Sequence, residues 1–117
     1  MNPFFTIIIP VYNRQKLLPR AIKSVLGQRF EQWELIIVDD CSTDNSISEA
    51  RKYIDARITV LQTGLNSGPA AARNLGIRAA RGKYISLLDS DDIFHPEFLS
   101  RTKEEIERSG EACGLSY

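Results

Sequence analysis

Hydrophobic residues along the chain alternate between short apolar runs and stripes with helical spacing. Short apolar runs rich in β-branched residues are typical of buried strands, and they predict strands at residues 4–11, 33–38, 57–62 and 83–88. Between them, apolar residues recur three or four positions apart and predict four helices. The helical stretches are residues 14–28, a segment marked by Ile47, Ala50 and Ile54, residues 70–81, and a last helix from Pro96. Four strand–helix units in succession predict an α/β domain: a Rossmann-like, mostly parallel sheet with helices on both faces.

Proline and glycine positions refine these boundaries. Pro19 is compatible with a helix only in its first turn, where its missing N–H leaves no bond unmade. Gly82 follows the third helical stretch and is predicted to end it at the C′ position. Cys113 opens a short apolar stretch that predicts the start of a fifth strand. We therefore expect residues 1–117 to be the front part of a larger single domain.

Polar residues follow three of the four predicted strands. The segments are residues 10–13 after the first strand, Asp39–Asp40 after the second, and residues 89–92 after the fourth. Ligands of open α/β sheets bind at the carboxyl ends of strands. If the second and fourth strands both neighbour the first, these carboxylates meet at one cleft and need a cation nearby. A hard divalent metal held by one or two carboxylates and by substrate phosphates would serve, with Arg73 as a second cation.

Each acidic residue also has a structural interpretation. Aspartate after a strand often caps the next helix, and we expect this of Asp44, whereas Asp92 suits either role. His95 is expected to be a cap or surface residue rather than a ligand. Cys41 and Cys113 lie far apart without metal-type spacing and are expected to be inert.

Composition and absent motifs narrow the function. The 15 Lys+Arg residues balance the 15 Asp+Glu residues, which argues against general nucleic-acid binding. The sequence contains neither GxGxxG nor GxxxxGK[ST], so dinucleotide-binding and P-loop sites are disfavoured. GxSxG is absent as well, and a single His makes a Ser-His-Asp hydrolase improbable. No apolar stretch reaches the roughly 18 residues that span a bilayer, and the expected location is cytoplasmic, with the inner face of the membrane as a variant.

Taken together, the motifs resemble glycosyltransferase family 2. The segments that carry the resemblance are Pro10-Val11-Tyr12-Asn13, Ser24-Val25-Leu26-Gly27-Gln28, Glu34-Leu35-Ile36-Ile37-Val38-Asp39-Asp40, Ser42-Thr43-Asp44, Gly68-Pro69-Ala70-Ala71-Ala72-Arg73-Asn74-Leu75-Gly76, Gly82-Lys83-Tyr84-Ile85 and Asp89-Ser90-Asp91-Asp92. They follow the family's order. The resemblance implies an inverting enzyme with the GT-A fold that uses nucleotide-diphospho-sugars, with UDP-sugars favoured.

The resemblance also implies roles for individual residues. The nucleotide would be bound by Pro10, Tyr12, Asn13, Asp39, Asp40, Gly68, Arg73, Asp89 and Ser90. Asp40 would accept a hydrogen bond from the base, and Asp39 would shape the same loop. Asp89 and Asp91 would form the Asp-x-Asp motif that holds Mn²⁺ or Mg²⁺ against the diphosphate. The acceptor would be a glycan, a lipid-linked glycan or a protein, and the catalytic base is expected beyond residue 117.

Two departures and two alternatives accompany this resemblance. Cys41 stands where the family usually carries glycine, so we expect a slightly shifted loop. Because the chain stops as a fifth strand begins, an exposed sheet edge is expected to allow self-association. One alternative function is a non-catalytic, nucleotide-binding remnant of the same fold. The other is a Mg²⁺-binding receiver domain of a signalling protein, which Asp39–Asp40 and Asp89 fit loosely.

Overall fold

Five strands and four helices alternate along the described part of the chain. The computed structural model describes residues 3–64, 67–109 and 115–116, the last pair by its backbone only. The strands are β1 (Phe5–Val11), β2 (Trp33–Asp39), β3 (Ile58–Gln62), β4 (Tyr84–Leu87) and β5 (Leu115–Ser116). The helices are α1 (Leu18–Leu26), α2 (Ser46–Arg51), α3 (Pro69–Ala79) and α4 (Phe98–Arg108). The predicted fifth strand is present at residues 115–116, whereas Cys113 lies outside the described residues.

The strands form one parallel sheet in the order β3-β2-β1-β4-β5. This confirms the predicted α/β architecture. β1 pairs with β2 over its full length, up to Val11 opposite Asp39. It pairs with β4 only as far as Ile8 opposite Leu87. β2 and β4, which the acidic residues follow, therefore both neighbour β1. This is the arrangement that brings their carboxylates to one cleft.

Helices cover both faces of the sheet. The larger core combines the odd-numbered residues of β1 with buried side chains of α1, α2 and α4: Leu18, Ala21, Ile22, Val25, Ala50 and Leu99. The smaller core places Ala72 of α3 against Ile8, Ile36 and Val38 on the other face. In the part of the chain that the structure describes, no helix is long and apolar enough to cross a bilayer.

Two helices are shorter than the apolar spacing predicts. α1 begins at Leu18 rather than Arg14, with Pro19 in its first turn as predicted. The backbone N–H of Arg14 donates instead to the hydroxyl of Ser46 in α2 at 2.9 Å, and that of Gln15 to Asp44 in the preceding loop at 3.2 Å. α2 ends at Arg51, so Ile54 lies outside it and is 97% exposed. The prediction that Ile54 belongs to a buried helix face is wrong.

Gly82 has a different role from the one predicted. α3 ends at Ala79 with Ala80 as its cap, so Gly82 is not its C′ residue. It passes directly over β1: a Cβ on Gly82 would lie 2.5 Å from the backbone nitrogen of Thr6 and 2.6 Å from the carbonyl carbon of Phe5. Only a glycine permits this approach.

A buried carboxylate ties the start of β4 to β1 and β2. Glu34 accepts hydrogen bonds from the Thr6 hydroxyl at 2.6 Å and from the backbone N–H of Arg81 at 2.6 Å. The Arg81 guanidinium completes the network at 3.2 Å, and the Thr6 hydroxyl accepts the N–H of Gly82 at 2.8 Å. Burial alone would raise the pKa of Glu34, but the bonds from Thr6 and Arg81 hold it below its ordinary value of 4.5.

Gly82→Ala is expected to destabilise the fold by about 3 kcal/mol, at the upper end for overpacking, because backbone rather than a flexible side chain blocks the new methyl group. Urea unfolding followed by circular dichroism measures this change. Gly27→Ala is the matched control, since Gly27 is exposed at a helix end with a φ of −85°. Its effect should stay below about 1 kcal/mol. Equal effects of the two changes would contradict the close approach of Gly82 to β1.

Glu34→Gln is expected to lower the free energy of unfolding at pH 7 by about 2 kcal/mol, the range for hydrogen bonds to a charged group. The pKa of Glu34 is lower in the folded than in the unfolded chain. Ionised Glu34 therefore stabilises the fold above pH 4.5, and this contribution is lost as the pH falls through the folded value. Urea midpoints of both proteins at pH 7 and pH 3 should thus converge at the lower pH. The exposed Glu104→Gln serves as control and should change neither midpoint.

Candidate nucleotide-binding cleft

The polar strand ends meet in a cleft of about 420 Å³ at the carboxyl edge of the sheet. Its walls come from the ends of β1, β2 and β4 and from the first turns of α3. The lining residues are Pro10, Val11, Tyr12, Arg14, Asp40, Gly68, Pro69, Ala72, Arg73, Asp89, Ser90 and Asp91. Eight of the ten residues predicted for the site are among them. The other two, Asn13 and Asp39, do not line this cleft.

Pro10 lies where β1 and β4 separate. The backbone N–H of Leu88 donates to the carbonyl of Ile8 at 3.0 Å, so Ile8 faces β4. Because alternate residues of a strand face the same neighbour, Pro10 faces this side as well. The pairing with β4 has already ended at Ile8. The missing N–H of proline leaves no sheet bond unmade there, and the two strands part to open the cleft.

Asp40 holds the loop that leads into α3. Its Oδ1 accepts hydrogen bonds from the Thr63 hydroxyl at 2.7 Å and from the Ser67 N–H at 2.9 Å. Its Oδ2 accepts the N–H of Gly68 at 2.9 Å. Burial by itself would raise the pKa of Asp40. The three hydrogen bonds together lower the pKa by more than burial raises it, so the pKa lies below its ordinary value. The carboxylate is 4% exposed and is ionised at neutral pH.

Asp39 and Asn13 shape the loops around the cleft. Asp39 is buried and accepts the hydroxyl of Ser42 at 2.6 Å and its N–H at 3.0 Å. Asn13 has a φ of 52°, a left-handed conformation that asparagine tolerates better than most residues. Its side-chain oxygen accepts the N–H groups of Thr43 at 2.8 Å and Asp44 at 3.3 Å. The loops after β1 and β2 are thereby fastened to each other.

Cys41 adopts a φ of 62°. This is the left-handed region that glycine enters without strain. Cys41, which stands where the family usually carries glycine, therefore adopts a left-handed conformation. Its side chain is exposed.

Asp89 and Asp91 carry exposed carboxylates on the cleft wall after β4. Among the hydrogen bonds and ion pairs of the described residues, neither carboxylate has a partner. Carboxylate oxygens without protein partners suit Mg²⁺ or Mn²⁺, which take oxygen ligands and are often held by few protein groups. Within the described ranges no group of three or more His, Cys, Asp or Glu side chains is placed to hold a metal.

Three other candidate residues lie outside the cleft. The side chain of Asp92 accepts the N–H of Ile93 at 3.1 Å and does not cap α4, which begins six residues later. His95 is exposed and its Nδ1 accepts the N–H of Glu97 at 3.1 Å. Asp44 accepts the N–H of Ser46, the first residue of α2, at 2.9 Å, but the N-cap residue of α2 is Asn45 rather than the predicted Asp44.

The sequence analysis missed Arg14 as a cleft residue. It was assigned to the first turn of the first helix, but the chain there is a turn and Arg14 lines the cleft. Its position directly after the polar end of β1 was the signal that could have found it. Arg14 and Arg73 are the two basic residues among the described cleft walls, and they stand against three carboxylates.

The chain is similar in sequence to known glycosyltransferases. A sequence model described as Glycosyl transferase family 2 matches residues 6–117. The glycosyl transferase WcaA of Escherichia coli (strain K12), named for colanic acid biosynthesis, is 48% identical over 85% of this chain. TuaG of Bacillus subtilis (strain 168), named for teichuronic acid biosynthesis, is 41% identical over 99% of it.

Solved structures show the same fold. S. aureus TarS 1-349 in complex with UDP superposes with a TM-score of 0.85 at 33% identity, over 89% of this chain and 32% of that one. Mannosyltransferase PcManGT from Pyrobaculum calidifontis, in complex with GDP-Man and Mn²⁺, gives 0.83 at 25% identity over 91% and 33%. These likenesses confirm the expected GT-A fold. The chain spans 36% of the length of WcaA and 46% of that of TuaG.

Asn13→Ala is expected to destabilise the chain by about 2 kcal/mol. It removes the acceptor of the Thr43 and Asp44 N–H groups and puts alanine in a left-handed conformation. Asn13→Gly removes the same hydrogen bonds without the conformational strain. It should therefore be less destabilising than Asn13→Ala by roughly 1 kcal/mol. Urea midpoints of the three proteins measure both contributions, and an Ala variant as stable as the original would contradict the fastening role of Asn13.

Proposed function

The chain belongs to glycosyl transferase family 2, and on that premise we propose that its cleft binds a nucleotide-diphospho-sugar, with UDP-sugars preferred. Residues 1–117 would be the donor-binding part of an enzyme that transfers the sugar to an acceptor hydroxyl with the help of Mn²⁺ or Mg²⁺. The observation that carries the proposal is the meeting of three strand ends in one cleft. One side of this cleft presents an aromatic ring and a buried carboxylate, and the other presents two exposed carboxylates.

The side formed by β1, β2 and α3 suits the nucleoside. Tyr12 is 41% exposed, so its ring offers a face on which a base can stack. Asp40 uses three of the roughly four acceptor sites of a carboxylate to hold the loop that leads into α3. The fourth site would accept the N–H of a uracil ring. Pro10 and Gly68, which lack side-chain donors, would border the base.

The side formed by the loop after β4 suits the diphosphate. Asp89 and Asp91 would hold the divalent ion, Ser90 lies between them on the cleft wall, and Arg73 approaches from α3. A divalent ion bound there neutralises the negative charge that grows on the departing nucleoside diphosphate. The residues of this chain would orient the donor so that its anomeric carbon is open to attack from the side opposite the leaving group.

The acceptor hydroxyl needs a general base that none of the residues described above supplies. We place that base beyond residue 117 and propose a glycan, lipid-linked or protein acceptor. The nucleotide complexes of TarS and the GDP-Man complex of PcManGT support a donor site in this part of the fold. A nucleotide-binding remnant without transfer activity would use the same cleft and differ only in lacking the base.

The receiver-domain alternative fits the strand order poorly. Doubly wound signalling domains of that type follow the order 2-1-3-4-5, whereas this sheet runs β3-β2-β1-β4-β5. β2, which ends at Asp39, and β4, which precedes Asp89, are separated by β1 and are not adjacent.

Calorimetric titration with UDP, with and without Mn²⁺, tests the proposed donor site. We expect binding that depends on Mn²⁺, and Asp91→Asn should weaken it by about 10- to 100-fold, at least the loss seen when a partner of a metal ligand is removed. Asp92→Asn is the matched control, since it removes a neighbouring carboxylate that does not line the cleft.

Equal losses in both variants would mean that general negative charge, not the Asp89–Asp91 pair, attracts the metal. A chain that is folded by circular dichroism and binds neither UDP nor GDP would refute the donor site. Metal-dependent UDP binding without sugar transfer, in a protein that also carries the later region, would leave the remnant as the function.

A further inference from the structure

A second cavity of about 400 Å³ adjoins the cleft on the side of α1. It is lined by Asn13, Arg14, Gln15, Lys16, Leu17, Asp44 and Asp91. Arg14 and Asp91 line both cavities. The second cavity shares no residue of the nucleoside side, neither Asp40 nor Gly68. It therefore opens from the diphosphate side of the proposed donor site.

Two basic side chains, Arg14 and Lys16, and two acidic ones, Asp44 and Asp91, line this cavity. Arg14 and Lys16 are exposed and form no salt bridge with any described residue. Of the Arg14 guanidinium, only Nη1 has a protein partner, the Asn13 carbonyl at 3.3 Å. Asp44 does not neutralise them through contact, because its carboxylate bonds Ser46 and the N–H of Gln15. Two cations thus present free N–H donors to the cavity.

The segment that carries these cations is held in place. The N–H of Arg14 donates to the Ser46 hydroxyl at 2.9 Å, and the N–H of Gln15 to Asp44 at 3.2 Å. The Gln15 side chain in turn accepts the N–H of Asn45 at 3.2 Å. A fixed backbone limits the entropy lost when the two side chains close on a ligand.

We propose that this second cavity binds an anionic group, a phosphate or a carboxylate, of the sugar acceptor. The proposal rests on the donor site proposed above, because it places the acceptor beside Asp91, where the diphosphate would leave. Arg14 and Lys16 bind the anion and so bring the acceptor to the open side of the donor. The cavity is separate from the nucleoside side, so donor and acceptor can occupy the protein together.

The test is an NMR titration of the ¹⁵N-labelled chain, with and without saturating UDP and Mg²⁺, in which inorganic phosphate and glucuronate are added in separate experiments. We expect saturable shifts of the amide signals of residues 14–17 with both forms of the protein. Arg14→Gln and Lys16→Gln should each weaken the affinity about two- to fivefold, the range for one exposed ion pair. Arg20→Gln, which removes a charge from α1 outside both cavities, should leave it unchanged.

Tighter binding of phosphate would support an acceptor that carries phosphate, and tighter binding of glucuronate an acidic sugar. Shifts that vanish once UDP fills the cleft would place the anion in the donor's phosphate position and overturn the proposal. So would the absence of shifts, or equal weakening by Arg20→Gln. A protein that shows the anion shifts without binding UDP would lose the proposed donor site, and with it the identification of the anion as part of an acceptor.

Discussion

The cleft depends on the pairing of β1 with a strand on each side. β2 stays paired with β1 to its end, so Asp39 and Asp40 emerge level with Val11. β4 stops three residues short of that point, opposite Ile8, and Pro10 has no N–H with which to continue the pairing. The asymmetry opens the sheet on one side only. The residues that follow β1, β2 and β4 meet in the cleft at this opening.

The four aspartates predicted for the site, Asp39, Asp40, Asp89 and Asp91, divide into two classes. Asp39 and Asp40 are buried and accept hydrogen bonds, Asp39 from Ser42 of its own loop and Asp40 from the loop that leads into α3. Asp89 and Asp91 are exposed and have no partner among the described residues. Organised donors stabilise the charge of the first pair without a metal, whereas the second pair remains available to a cation and a phosphate. In the proposed donor site, the buried pair would shape the wall beside the base, and the exposed pair would supply charge beside the diphosphate.

The alternation of elements follows from patterns that act within one strand or helix, whereas the resemblance to glycosyltransferase family 2 implied the ten site residues, eight of which line the cleft. Hydrophobic runs report burial, and ligands of parallel sheets gather at strand ends. What the sequence could not show are contacts between distant segments. Gly82 is glycine because of Thr6, 76 residues away, and Asn13 bonds residues 30 and 31 positions later. The prediction for Ile54 is wrong because the helical spacing of apolar residues continues beyond Arg51, where α2 ends.

Left-handed backbone conformations concentrate around the cleft. In the described part of the chain, the residues with positive φ are Asn13, Cys41, Gly64 and Gly68, and each lies in a loop after one of the first three strands. A chain that leaves a strand end and turns at once toward its helix needs such residues, at a conformational cost for those that are not glycine. These loops are held by hydrogen bonds that the Asp40 carboxylate accepts from Gly68 and the Asn13 side chain accepts from the neighbouring loop. The same bonds fix the walls of both cavities before any ligand arrives, so binding need not order them.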